Sequence, residues 1–189
     1  MKFRNLEKNE IKCRIQSIDK AGLNLLLYKD ARVDMEILDE TVGSENWQCD
    51  YEEHRGILFC KLGININYNT ENLKELPMWI WKTDAGSESN TEAEKGNASD
   101  AFKRAGFRWG IGRALYTSPE IRVWETDAAK NKNAKIWHSE DGKSHKCHDE
   151  FAVEAIKYSE DGKRIIGLAI RNETLNKRVF VWKAEEAQE

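Results

Sequence analysis

Between Lys95 and Arg113 five basic side chains, Lys95, Lys103, Arg104, Arg108 and Arg113, stand against one acid, Asp100, in a chain whose formal net charge is -3. Positive charge gathered at one place in an acidic protein is the footprint of local contact with a polyanion, and phosphates are the commonest such partner. The pI near 5.9 excludes a protein that coats nucleic acid all over. Two other readings of the same residues stand beside this one: the solvated side of an amphipathic helix, and a basic surface for an acidic protein partner.

The remaining chemistry-bearing residues point away from catalysis. His138, His145, Cys147 and His148 lie within a short span, but their spacing fits no usual structural zinc pattern, and no metal is expected there. Adjacent carboxylates such as Asp39/Glu40 and Glu52/Glu53 point apart on a helix or strand, so they form neither an acid/base couple nor a two-metal nuclease site. The string GIGRAL lacks a preceding strand and ends in Leu115 where a nucleotide-binding loop needs glycine. Cys13, Cys49, Cys60 and Cys147 include no CxxC pair, and no disulfide is expected. Trp79, Trp81 and Trp109 could stack on bases, although core positions under a helix are the more ordinary role for at least two of them.

The basic residues need an element to carry them. Ala98, Ala101, Phe102, Ala105, Trp109, Gly112 and Tyr116 recur at steps of three and four, one face of a helix running from Thr91 to Tyr116. Thr91 and Glu94 have capping-box spacing. Gly106, Gly110 and Gly112 each cost a helix interior about 1 kcal/mol against alanine, which calls for close backbone packing or a break near Gly110. Phe107 and Ile111 fall away from the main apolar face and are expected to be exposed, as a contact for a second copy of the chain.

Upstream, AGLNLLLY reads as a strand. Val33, Ile37, Leu38 and Val42 then give a short helix stopped by Gly43. Residues 47–53 and 56–68 read as a hairpin, and PMWIWKTDAG as a third strand before the long helix. After Pro119 come a strand at Ile121 to Trp124 and three strand-like runs, Phe151 to Tyr158, Ile165 to Arg171 and Arg178 to Trp182, the first two joined at Asp161-Gly162. The fold expected is α+β: an antiparallel sheet crossed by a long amphipathic helix, with a C-terminal β-meander. Two consecutive regions follow, a core over 1–118 and a β-rich extension over 119–189. The N-terminus has no apolar run of signal-peptide length and no later run could span a membrane, so a cytoplasmic protein is expected.

The string KGNASDAFKRAGFRWGIGRALY resembles the signature helix of the Rad52/Rad22 family of single-strand annealing proteins, in its phage and bacterial branch. Asp100, Lys103, Arg104, Ala105, Trp109 and Gly110 match the family's acid-x-x-Lys-Arg-Ala run and the aromatic and glycine that follow it. LLLYKDARVDMEILDETVGSENWQ is similar to the segment preceding it, with Arg32 where the family carries an arginine. The likeness spans about residues 20 to 118. It implies a protein of a bacterial host cell, encoded there or by a phage, that binds single-stranded DNA and anneals complementary strands in recombination and repair. It further implies a ring or helical homo-oligomer without ATP, cofactor or bond-making chemistry, sometimes working with other recombination or replication proteins. Lys103 and Arg104 would hold the sugar-phosphate backbone, with Arg32, Lys95, Arg108 and Arg113 beside them.

Overall fold

The computed structural model describes residues 1–69, 76–86 and 93–185. Among the described residues the chain is α+β, with two α-helices and mostly antiparallel sheets, and it divides into two compact units, each discontinuous in sequence.

The first unit comprises Met1–Asn5 and Lys29–Arg113. It holds helix α1 (Ala31–Val42), strands β3 (Trp47–His54), β4 (Ile57–Asn65) and β5 (Trp79–Ala85), and helix α2 (Ala93–Trp109). The side chain of Asp30 caps α1 by accepting from the Arg32 N–H, and Gly43 ends it at φ 85°. The strands form an antiparallel sheet in the order β3-β4-β5. Its first turn is the two residues Arg55 and Gly56, both with positive φ, the conformation whose twist suits a two-residue hairpin.

Helix α2 packs on β4 and β5. Ala101, Phe102 and Ala105 are buried against Cys60, Leu62 and Ile64, the alternate residues of β4. Phe102 meets Trp47 with ring centroids 5.9 Å apart. Between α1 and α2 an ion pair, Lys29 with Asp34, is sealed from solvent at 1% and 0% exposure. Gly106 makes room for it, since a Cβ there would stand 3.0 Å from Asp34 Oδ2.

The expected helix to Tyr116 stops at Trp109. The Gly110 N–H donates to Phe107 O and the Ile111 N–H to Gly106 O, with Gly110 at φ 108°. This is a Schellman ending, which folds the residue after the glycine back onto the helix. Both readings of the glycines therefore hold, close packing at Gly106 and a break at Gly110. A 3-10 helix, Arg113–Thr117, follows, leaving Tyr116 exposed. The Thr91 half of the expected capping box lies outside the described residues, as do the side chains of Glu94 and Lys95.

The second unit comprises Leu6–Tyr28 and Ala114–Glu189. Strands β1 (Ile11–Asp19), β2 (Gly22–Lys29), β6 (Ile121–Trp124), β9 (Phe151–Tyr158), β10 (Ile165–Asn172) and β11 (Lys177–Lys183) form one sheet in the order β11-β10-β9-β1-β2-β6. Strand β11 also contacts β6, so the sheet curls until its edge strands approach. Leu23, Leu25, Ile121, Val123, Val153, Leu168 and Ile170 supply its core. A two-stranded ribbon pairs β7 (Ile136–His138) with β8 (His145–Cys147). The compact units thus differ from the consecutive regions expected. Strands β1 and β2 fill the gap between β9 and β6, and residues 6–28 belong with the C-terminal strands.

A small polar cluster of Asn133, Asp149 and Asn172 is built into the second unit's interior. Asn172, fully buried, donates to Asp149 Oδ2 at 2.7 Å and Asn133 O at 2.9 Å, and accepts from the Leu175 N–H at 3.1 Å. Replacing Asn172 by leucine leaves these groups without that partner, and the expected loss is about 1–3 kcal/mol, seen as a lower urea midpoint for this unit. A midpoint unchanged from the parent chain would mean that water replaces the amide freely.

Candidate nucleic-acid interface

The basic residues of α2 diverge to two sides of the helix. Neighbours in sequence are separated by roughly 100° around a helix axis, and Lys103 and Arg104 use that separation. Lys103 lies 3.8 Å from Asp100, a turn back, on the side of the buried Lys29–Asp34 pair, whose charges both respond to it. Arg104 turns to the sheet. Its Nε is 3.5 Å from Asp84 of β5, and Arg108 Nε reaches the same carboxylate at 2.9 Å. Burial raises the Asp84 carboxyl, but the Ala85 N–H and the two guanidiniums outweigh it and hold the group below the usual carboxylate range.

Arg113 joins this side through the helix ending. Its guanidinium donates to Phe107 O at 2.9 and 2.7 Å and to Arg108 O at 2.8 Å, where the carbonyls of the last turn lack helical partners. Lys82, projecting from β5, donates to Arg108 O at 3.0 Å and sits 4.3 Å above the Trp109 ring. Lys82, Thr83, Arg108 and Arg113 line an open hollow of about 430 Å³. With Arg104 beside it, four cations face one carboxylate, Asp84. A multivalent anion is the ligand such a site suits.

Of the residues expected at the site, Arg104, Arg108 and Arg113 come together. Lys103 is on the other flank of the helix. Arg32 is exposed near the start of α1, and the side chain of Lys95 lies outside the described residues. Lys82 was missed. Its signal in the sequence was slight, a lysine within the alternating run WIWKT, because only the pairing of β5 with β4 brings it to the end of α2.

The expected apolar strip of Phe107 and Ile111 needs correction. Ile111 is fully buried, because the Schellman ending turns it into the core of its own chain. Phe107 is half-buried with the Lys29 ammonium 4.3 Å from its ring centroid. The tryptophans are also redistributed. Trp109 packs under the helix end, its indole N–H donating to Leu62 O at 3.0 Å. Trp79 and Trp81 stand instead on the sheet face turned away from α2, and Trp81 is 43% exposed.

In the second unit, His138 and His145 approach through their Nδ1 atoms at 2.8 Å, with Glu125 3.3 Å from His138 Nε2. Among the described residues no group of three or more His, Cys, Asp or Glu side chains is arranged to hold a metal ion.

An α+β unit whose helix carries a cationic flank beside an edge strand offers a local surface suited to an anionic ligand. The sequence model of the Rad52/22 family of double-strand break repair proteins matches residues 3–134, and the chain belongs to that family. Its place is therefore in DNA repair and recombination. No curated protein and no solved structure matches the chain. Among the described residues no helix is long and apolar enough to cross a membrane.

Proposed function

We propose that the chain is a single-strand annealing protein of the family's phage and bacterial branch. It acts in the cytoplasm of a bacterial cell, binding single-stranded DNA by its backbone and pairing complementary strands without nucleotide hydrolysis, cofactor or metal. The observation that carries this reading is the hollow of Lys82, Thr83, Arg108 and Arg113 at the end of the helix whose sequence resembles the family's signature run, inside the span 3–134 that the family model matches. Contacts to phosphate hold a strand in any sequence and leave its base edges free to meet a complement. Lys103 and Arg104 serve as the backbone-binding pair, Lys103 from the second flank of the helix, with Arg32 and Lys95 as outlying contacts. Each protomer contributes one groove, and a ring or helical assembly strings the grooves together. Ile111 is buried in its own chain and takes no part in the oligomer contact.

The test is a gel shift with single-stranded against double-stranded DNA, followed by annealing of complementary strands with EDTA and without ATP. Preferential binding of the single strand and annealing under those conditions are expected, from a particle whose light-scattering mass is a multiple of 21.9 kDa. Absence of single-strand binding, or a requirement for ATP or metal, would overturn the reading.

A further inference from the structure

The sheet of the first unit has a second face, opposite α2, and its edge strand β5 carries there an aromatic pair that the backbone hollow does not use. Trp79 and Trp81 are two residues apart on one strand and therefore share a face. Their ring centroids are 6.3 Å apart with planes inclined by 31°. Trp81 is paired across the ladder with Gly63. A Cβ on that glycine would stand 2.8 Å from three atoms of the six-membered ring of Trp81. The indole thus lies on a bare patch of backbone that only glycine provides. One ring face is against the sheet and the side chain is still 43% exposed.

The surroundings suit a flat, uncharged ligand edge. The row through Trp81 continues to Gly63 and Gln48, and the row through Trp79 to Asn65, so neither carries a charge. Thr83, the next residue of β5 on this face, lines the cationic hollow. Two residues along a strand span about 6.5 Å. Because β5 is the edge strand, a chain whose phosphates lie at Lys82, Thr83 and Arg108 on the α2 side reaches Trp81 with its bases by passing over that edge.

We infer that Trp79 and Trp81 form a stacking platform for unpaired nucleobases of the strand whose phosphates occupy the adjacent hollow. This rests on the proposed function and adds a contact to the bases, which backbone binding alone does not have. Stacking on an indole is open to every base, so the platform adds affinity without sequence preference.

The experiment compares a deoxythymidine oligomer with an abasic oligomer of equal length, titrated against the full chain and its Trp81→Ala and Trp81→Phe variants. The parent chain should bind the base-bearing oligomer at least about fivefold more tightly than the abasic one. Trp81→Ala should lose most of that ratio while keeping its abasic affinity, and Trp81→Phe should retain most of it. Equal affinity of the parent for both oligomers would overturn the platform and leave the backbone reading intact, with no variant needed. Binding of neither oligomer would overturn both. If Trp81→Ala lowers affinity for both oligomers equally together with the light-scattering mass, the face belongs to a second copy of the chain, and the platform is refuted.

Discussion

Replacing Asp34 by alanine should cost about 3–5 kcal/mol of unfolding free energy, among the largest effects of any single substitution in the first unit. Lys29 and Asp34 are 1% and 0% exposed, so removing the carboxylate leaves an ammonium with no counter-charge and no water. Burial already works against both groups, lowering Lys29 and raising Asp34, while their mutual attraction opposes it. The neighbouring charge of Lys103 makes the stranded ammonium worse. The faces of α1 and α2 meet at this pair, and Gly106 gives Asp34 its room. The double replacement Lys29→Met with Asp34→Leu should recover most of the loss, because an apolar pair of similar volume removes both desolvation costs together. Urea titration followed by tryptophan fluorescence measures all three chains. A single variant within 1 kcal/mol of the parent would mean that the pair is wet in solution.

Local signals carried the sequence reading well where the partner lay close along the chain. Strands β9, β10 and β11 were legible because alternation and the Asp161-Gly162 turn are written in consecutive residues, and Gly162 does take a positive φ. The apolar face of α2 was legible as far as Trp109 for the same reason. Beyond it, the spacing of Gly112 and Tyr116 continued the helical pattern by coincidence, and the Schellman hydrogen bonds at Gly110 decided against it. Strand β1 went unread although Ile11, Cys13 and Ile15 alternate with Lys12, Arg14 and Gln16. One of its neighbours, β2, follows across the short turn at Lys20-Ala21, where the Asp19 carboxylate accepts from two backbone N–H groups, a local signal that the polar turn residues obscure; the other, β9, begins more than a hundred residues later. The same distinction governs the site. Arg104, Arg108 and Arg113 could be taken together because one helix and its cap present them. Lys82 and Asp84 come from a strand that the fold, and not the sequence interval, brings to them. Charge counted along the chain therefore does not show that Lys103 sits on the other flank of α2 from Arg104, and it leaves out Lys82 and Asp84, which lie beside the arginines.

Removing Arg104 and Arg108 together should weaken single-strand binding by a factor of about 25 at 0.1 M salt against a 1 M reference, and flatten the log-log salt slope by about 1.4, two phosphate contacts at about 0.7 each. The loss should be the same for thymine-rich and mixed sequences, since phosphates carry no sequence information. Both arginines share Asp84, at 3.5 and 2.9 Å. The single variants should therefore be non-additive with each other, while Lys103→Ala, on the other flank of the helix, should add independently to either. Asp84→Asn then decides between two roles for the carboxylate. If Asp84 chiefly offsets positive charge in the groove, its neutralisation frees two guanidiniums for phosphate and binding tightens with a steeper salt slope. If it chiefly holds the arginines in place, binding weakens even though a negative charge has gone. The hollow already has Lys82 and Arg113 held by their own carbonyl contacts, so the first outcome is expected. An unchanged salt slope in a folded Arg104→Ala, Arg108→Ala chain would remove this flank of α2 from the DNA-binding surface altogether.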